Sequence, residues 1–186
     1  RLTNDANCFA LSEATDGAGA GAETVFGVIV GTGTGGGVVV HGHVCTGPNA
    51  IAGEWGHNPL PWPEDGERPG PRCYCGKHGC IETFLSGPGM ANDHEHATGT
   101  RLEAPEIAAR AAAGDAGCTA TLARYERRMA RALATIINVL DPVAYAHRME
   151  QAGAGELFVN FIDLEGTQSG YNVPVLTDVA QAVRIP

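Results

Sequence analysis

No stretch of this 186-residue chain approaches the roughly 18 consecutive apolar residues needed to cross a bilayer. The opening residues Arg1-Leu2-Thr3-Asn4-Asp5 also lack the charged and apolar regions of a signal peptide, so the expectation is a cytoplasmic protein with no membrane partner. Basic side chains are few. Twelve Lys and Arg stand against 21 Asp and Glu, a formal charge of −9, and no Lys/Arg stripe is present to track a phosphate backbone. Nucleic acid is therefore not expected as a partner. What the chain has in quantity is glycine, 26 residues, and proline, 11, which together promise many turns and close backbone approaches. Its length suffices to bury a core without disulfide staples.

In a reducing compartment, cysteines that cluster read as metal ligands, and those that stand apart read as small buried hydrophobes. Cys73, Cys75 and Cys80 fall within eight residues, whereas Cys8, Cys45 and Cys118 are scattered among apolar or small residues and are expected to be buried. Three thiolates this close, with His57 upstream, can complete a tetrahedral Zn2+ shell. Four protein ligands make such a site closed and structural rather than catalytic. His78, in the Gly76-Lys77-His78-Gly79 link, is a rival fourth ligand. Reduced thiols without metal and a redox Cys-x-Cys pair are the alternatives.

Periodicity and capping signals predict a helix over Ala6 to Glu13, capped by Asn4 or Asp5. They predict a strand over Thr24 to Val30, paired in a hairpin with Gly37 to Val44, and a long irregular loop from Thr46 to Pro71. Glu82 to Leu85 should form a short helix stopped by Ser86-Gly87-Pro88-Gly89, and Ala104 to Ala113 another. The clearest helix is Thr119 to Leu140, with a core face of Leu122, Tyr125, Met129, Leu133, Ile136, Ile137 and Leu140. Beyond Asp141-Pro142, Val143 to Ala152 and Val175 to Val183 read as helices and Leu157 to Ile162 as a strand.

Gly31-Thr32-Gly33-Thr34-Gly35-Gly36 spells G-x-G-x-x-G, yet a strand comes next where the dinucleotide motif must open a helix, and the Lys-Ser/Thr ending of a Walker loop is missing. A glycine-rich hairpin turn with threonine hydroxyls can still hold phosphate oxygens, with a plain structural hairpin as the alternative. Asp5 is most simply a helix cap, and Glu54, His57 and Glu82 are by default surface residues. Their nearness to the cysteine cluster raises a shared role, since a metal-fixed loop can hold two carboxylates rigidly against a polyol.

Four ordered motifs, Asn4-Asp5-Ala6-Asn7, Gly31 through Gly37, Gly53-Glu54-Trp55-Gly56-His57 and Cys73 through Glu82, resemble the ROK family of repressors and sugar kinases. Trp55, with Asn58-Pro59-Leu60-Pro61-Trp62 after it, looks most like the fructokinase branch. The resemblance covers residues 1–142 and implies an α/β fold, an actin-like, ribonuclease-H-like sugar kinase lobe in truncated form, with a hexose and ATP bound in a cleft between lobes. It implies Asp5 as general base and Asn4, Glu54, His57 and Glu82 as sugar contacts. His57, Cys73, Cys75 and Cys80 would be the zinc ligands, His57 facing the sugar through its other ring nitrogen. Gly31, Thr32, Gly33, Thr34 and Gly35 would contact the phosphates of ATP, carried with Mg2+. A homodimer is compatible with the family.

Two of the family's elements have no counterpart in the sequence: the Asp-x-Gly-Gly-Thr phosphate turn expected before Asn4, and the adenosine-binding turn expected after Pro142. By itself the chain is therefore expected to bind sugar weakly if at all and to show no measurable turnover. Within residues 143–186, Gln151 to Leu157 and Ile162 to Tyr171 resemble the cyclase subunit of imidazole glycerol phosphate synthase. That resemblance implies one βα unit of a TIM barrel, with Asp163 at the carboxyl end of a strand and Gly166-Thr167 near bound phosphate. The leading expectation is an ATP-dependent hexose kinase, fructose first. The alternatives are a non-catalytic sugar-binding module of ROK type and, third, a cyclase fragment.

Overall fold

A computed structural model describes residues 3–140. The expected tail, with its strand, its helices and its cyclase-like loop, lies outside the described residues. The chain divides into two units, Arg1–Ala132 and Leu133–Pro186, and the site belongs to the first.

Asn4 opens helix α1 (Asp5–Thr15), its side chain accepting from the N–H of Asn7 at 2.8 Å. Of the two predicted caps the structure uses Asn4. Asp5 is the first helical residue, with Oδ1 accepting from the N–H of Ala6 at 2.9 Å and its charge at the positive end of the helix. Three antiparallel strands come next, β1 (Thr24–Val30), β2 (Thr34–Val40) and β3 (His43–Val44), in that order across the sheet. Thr24 pairs with Val40 and Val30 with Thr34, which leaves Gly31-Thr32-Gly33 as the turn. The second strand thus begins three residues before its predicted start at Gly37: pairing to the β-branched run of β1 overrides the low strand propensity of Gly35-Gly36-Gly37. It also stops earlier, at His41-Gly42, where both φ angles are positive (48° and 75°) and the chain reverses into β3.

The glycines of β2 let other elements close upon it. A Cβ at Gly37 would lie 2.7 Å from the Ala6 carbonyl oxygen and 2.8 Å from the Ala10 Cβ, so α1 rests directly on this face of the sheet. Side chains alternate along a strand, and the other face takes the rings of Phe26 and Trp55. These meet edge to face at 5.5 Å, and a Cβ at Gly36 would come within 2.6 Å of the Phe26 ring.

The predicted irregular loop holds two short 3-10 turns, Trp55–His57 and Asp65–Glu67. Four helices complete the described chain: α2 (Glu82–Leu85), α3 (Gly87–Thr98), α4 (Ala104–Ala112) and α5 (Ala116–Leu140). Ser86-Gly87-Pro88-Gly89, expected to stop a helix, starts one. Ser86 accepts from the N–H of Gly89 at 3.1 Å and Pro88 sits in the first turn, where its missing N–H costs nothing. In α5 the buried residues are Cys118, Thr121, Arg128 and Ala132, while the predicted apolar stripe is only half-buried. Arg128 is drawn inward by Glu67 at 2.7 Å and Asp93 at 2.8 Å, and its guanidinium lies 5.0 Å from the centre of the Phe84 ring. Of the scattered cysteines only Cys118 is buried; Cys8 and Cys45 are exposed, contrary to expectation, on a helix and a loop that turn them to solvent. Among the described residues no helix is long and apolar enough to cross a membrane.

Candidate functional site

The start of β2 is where the motifs converge. Gly53, with φ of 93°, and Gly56 lie backbone to backbone with the strand: a Cβ on Gly53 would strike the carbonyl of Gly36, and one on Gly56 that of Thr34. Trp55 between them is buried at 3% exposure, and the docked segment fixes Glu54 and His57 on either side. Glu54 Oε1 accepts from Asn4 Nδ2 at 3.2 Å, which ties the loop to the start of α1 beside Asp5. Glu82, at the start of α2, accepts from the Thr34 N–H at 2.9 Å, and a Cβ at Gly33 would lie 2.6 Å from the same carboxylate oxygen. Glycine is thus required at 53 and 56 so that the Glu54 loop can reach the strand, while at 33 a side chain would crowd the Glu82 carboxylate.

The turn itself is narrower than predicted. The N–H of Gly31 is bonded to the carbonyl of Gly33, Thr34 donates to Glu82, and Gly35 lies within β2, where a Cβ would stand 3.6 Å from the Ala6 methyl. Thr32 and Gly33 are the turn residues that line a cleft of about 450 Å3, together with Tyr74, Glu82, Ser86 and Asn92. Asp5, Asn4 and Glu54 are not among the residues lining it.

His57, Cys73, Cys75 and Cys80 bring their donor atoms within 4.8 Å of one another. The Cys75 and Cys80 sulfurs are 3.6 Å apart, as are the Cys73 sulfur and His57 Nδ1. A tetrahedral ion with bonds of about 2.3 Å to sulfur and about 2.0 Å to nitrogen requires edges of about 3.8 and 3.5 Å, so the donor set fits a metal of zinc's size and preferences. His78, the rival ligand, is outside the group. Backbone bonds prepare the loop: Cys73 N–H to Lys77 carbonyl at 2.8 Å, Leu60 N–H to Gly79 carbonyl at 2.8 Å, and Ile81 N–H to Asn58 carbonyl at 2.9 Å. The last two join the segment after His57 to the segment around Cys80.

Two of the thiols are shifted in opposite directions. The backbone N–H of Lys77 holds the exposed Cys75 thiol below its ordinary value, helped by the Lys77 ammonium, while burial and the neighbouring sulfurs push Cys80 up to about 12. A divalent cation would replace those protons. The second ring nitrogen of His57, expected to face a sugar, is bonded to the Tyr74 hydroxyl at 2.9 Å, with the two rings edge to face at 5.0 Å. Desolvation of that hydroxyl, then the charge of Glu82, holds the Tyr74 phenol above its usual value, so it remains protonated. Sequence reasoning passed over Tyr74, since the residue between two cysteine ligands has no spacing signal of its own.

The comparisons with known proteins fall on the same residues. The model of the ROK family matches residues 1–147, slightly beyond the expected limit at Pro142. The N-acetyl-D-glucosamine kinase of Shigella boydii is 45% identical over 148 residues, 76% of this chain and 48% of that protein. Among solved structures, the ROK hexokinase of Thermus thermophilus is 34% identical with a TM-score of 0.67, covering 76% of this chain and 47% of its own. A ROK glucokinase from Streptomyces griseus, solved with glucose and AMPPNP, is 28% identical with a TM-score of 0.65, covering 75% of this chain and 48% of its own. The chain therefore spans about half the length of the curated relatives it matches. These relatives lend no support to the fructokinase branch expected from Trp55. With its family model running from the first residue through α5, the chain belongs to the ROK family.

Proposed function

We propose that the chain carries the sugar side of an ATP-dependent hexose kinase, with N-acetyl-D-glucosamine as the first substrate to test. The observation that carries this reading is the convergence on the start of β2: Asn4 with Glu54, Glu82 with the glycine turn, and the His57 and cysteine cluster behind them. The 45% identity to N-acetyl-D-glucosamine kinases supports the substrate. Asp5 is the general base, accepting the proton of the sugar hydroxyl as the γ-phosphoryl group transfers in line, with most of the rate coming from positioning. Glu54 and Glu82 accept hydrogen bonds from sugar hydroxyls, and Thr32 and Gly33 meet the phosphate side of the cleft. ATP enters with Mg2+, which neutralises charge on the phosphates. The metal held by His57, Cys73, Cys75 and Cys80 is Zn2+ in a structural role, since three thiolates and an imidazole leave no open position.

The test is ADP release with N-acetyl-D-glucosamine, glucose and fructose. Because the chain spans about half of its curated relatives, it is assayed alone and in a chimaera that takes the remaining portion from the Shigella boydii kinase. N-acetyl-D-glucosamine is expected to give the highest kcat/KM. Fructose as the best substrate would restore the fructokinase reading, and sugar binding without turnover in the chimaera would favour the non-catalytic module.

A further inference from the structure

Resting on the kinase reading above, we propose that Tyr74 is a sugar-contacting and specificity-determining residue, its hydroxyl relaying a hydrogen bond from the metal-bound His57 to the hexose. Three observations converge on it. Its ring is 83% exposed, although the residues on both sides, Cys73 and Cys75, belong to the metal cluster. An exposed aromatic ring between two anchored neighbours is held by its backbone and by its edge-to-face contact with His57. It lines the same cleft as Thr32, Gly33 and Glu82. And its hydroxyl is 2.9 Å from His57 Nε2, while His57 Nδ1 is 3.6 Å from the Cys73 sulfur.

The proton order is set by valence. A neutral imidazole that gives Nδ1 to the metal must carry its proton on Nε2. Nε2–H therefore donates to the Tyr74 oxygen, and the phenol's own proton is left to donate elsewhere. Glu82, whose carboxylate can accept from a sugar hydroxyl, lines the same cleft. A hexose in the cleft then meets an acceptor from Glu82 and a donor from Tyr74. That pattern fixes the orientation of a hydroxyl or carbonyl oxygen that must accept, such as the acyl oxygen of an N-acetylated hexose.

The experiment titrates the full chain, at matched metal content, with N-acetyl-D-glucosamine and with glucose, for the native residue, Tyr74→Phe and Tyr74→Gln. Tyr74→Phe keeps the ring and the metal and is expected to weaken N-acetyl-D-glucosamine binding by about tenfold, the size of one hydrogen bond. Glucose binding should change less, and Tyr74→Gln, which can both accept and donate, should regain part of the loss. In 15N spectra of the metal-bound protein, the His57 Nε2–H signal should shift on hexose addition and sharpen less in Tyr74→Phe. Unchanged affinity in Tyr74→Phe with metal retained overturns the proposal, as does a chain that binds no hexose. Hexose binding that depends on Tyr74 without any phosphorylation in the chimaera would sink the kinase reading and leave this inference standing.

Discussion

Asp5 illustrates how one side chain can carry two readings. It opens α1 but does not cap it; Asn4 does, and the Asp5 carboxylate is exposed beside the Asn4 to Glu54 hydrogen bond. Its Oδ1 accepts from the Ala6 N–H, a bond that the amide oxygen of asparagine can also accept. Asp5→Asn in the active chimaera should therefore leave the fold and the sugar affinity intact while lowering turnover by roughly 10²-fold or more, the usual contribution of a general base. Steady-state kinetics beside a sugar titration checks this, and near-normal turnover would return Asp5 to a purely structural place. The cysteine cluster was legible in the sequence from its spacing, whereas Asp5, Glu54 and Glu82 stood out as candidates chiefly through the motifs that resemble the ROK family. Gly53 and Gly56 were visible only as letters of the Gly53 to His57 motif. Their requirement comes from contacts with groups distant in the chain, which the sequence does not display.

At the scale of elements, the metal loop and the arginine cluster do different work. Metal purified with the chain should be zinc at about one per chain, and Cys75→Ser should abolish it and open the segment between Pro71 and Cys80. Structural zinc is worth ~10 kcal/mol or more in small zinc modules, far beyond the few backbone bonds that otherwise shape the loop. Metal analysis of protein prepared without chelator decides it; no zinc in the native chain would overturn the assignment. The arginine cluster was not foreseen, because Arg124, Arg128 and Arg131 recur at helical spacing with the look of a solvated face. Glu67, far upstream in the chain, and Asp93 turn that face inward. Burial would raise both carboxyls, but the bonds from Arg128, Arg124 and Arg131 outweigh it and hold them below their ordinary values of 4.5 and 3.8. A carboxyl lowered by folding contributes stability that is complete above its unfolded value and is lost as pH falls through the folded one. Thermal unfolding should thus be flat down to about pH 5 and decline steeply below about pH 4. Arg128→Ala should cost roughly 2–4 kcal/mol near neutrality and flatten that acid limb, since each carboxylate keeps one arginine but loses its shared one. An acid limb unchanged in the variant would show that other groups set it. Helix α3 was likewise missed for a local reason: Gly-Pro-Gly reads as a break until the Ser86 side chain is seen to cap the turn that contains it.

For the whole molecule, the decisive quantity is how much of a kinase cleft the chain contains. On the proposed reading the described residues supply the sugar side and one phosphate-facing turn, and the match spans 48% of the Shigella boydii kinase. Phosphoryl transfer depends on holding ATP and sugar in near-attack geometry, which can supply ~7–11 kcal/mol. A surface that holds one reactant leaves the other to arrive by collision and forfeits most of that contribution. The carboxylate of Glu82 sharpens the point. It is bonded to the turn at Thr34 N–H, so if that turn meets ATP as proposed, negative charge sits beside the phosphate oxygens and that repulsion needs compensating cations. Purified alone, the chain should therefore bind N-acetyl-D-glucosamine weakly and release no measurable ADP, whereas the chimaera should turn over at ordinary enzymatic rates. A coupled assay run on both at the same zinc content separates a missing reactant site from a misfolded one, because the metal reports that the sugar side is intact. Turnover of about 1 s⁻¹ or faster by the chain alone would show that its own residues, or a second copy of it, supply the nucleotide side.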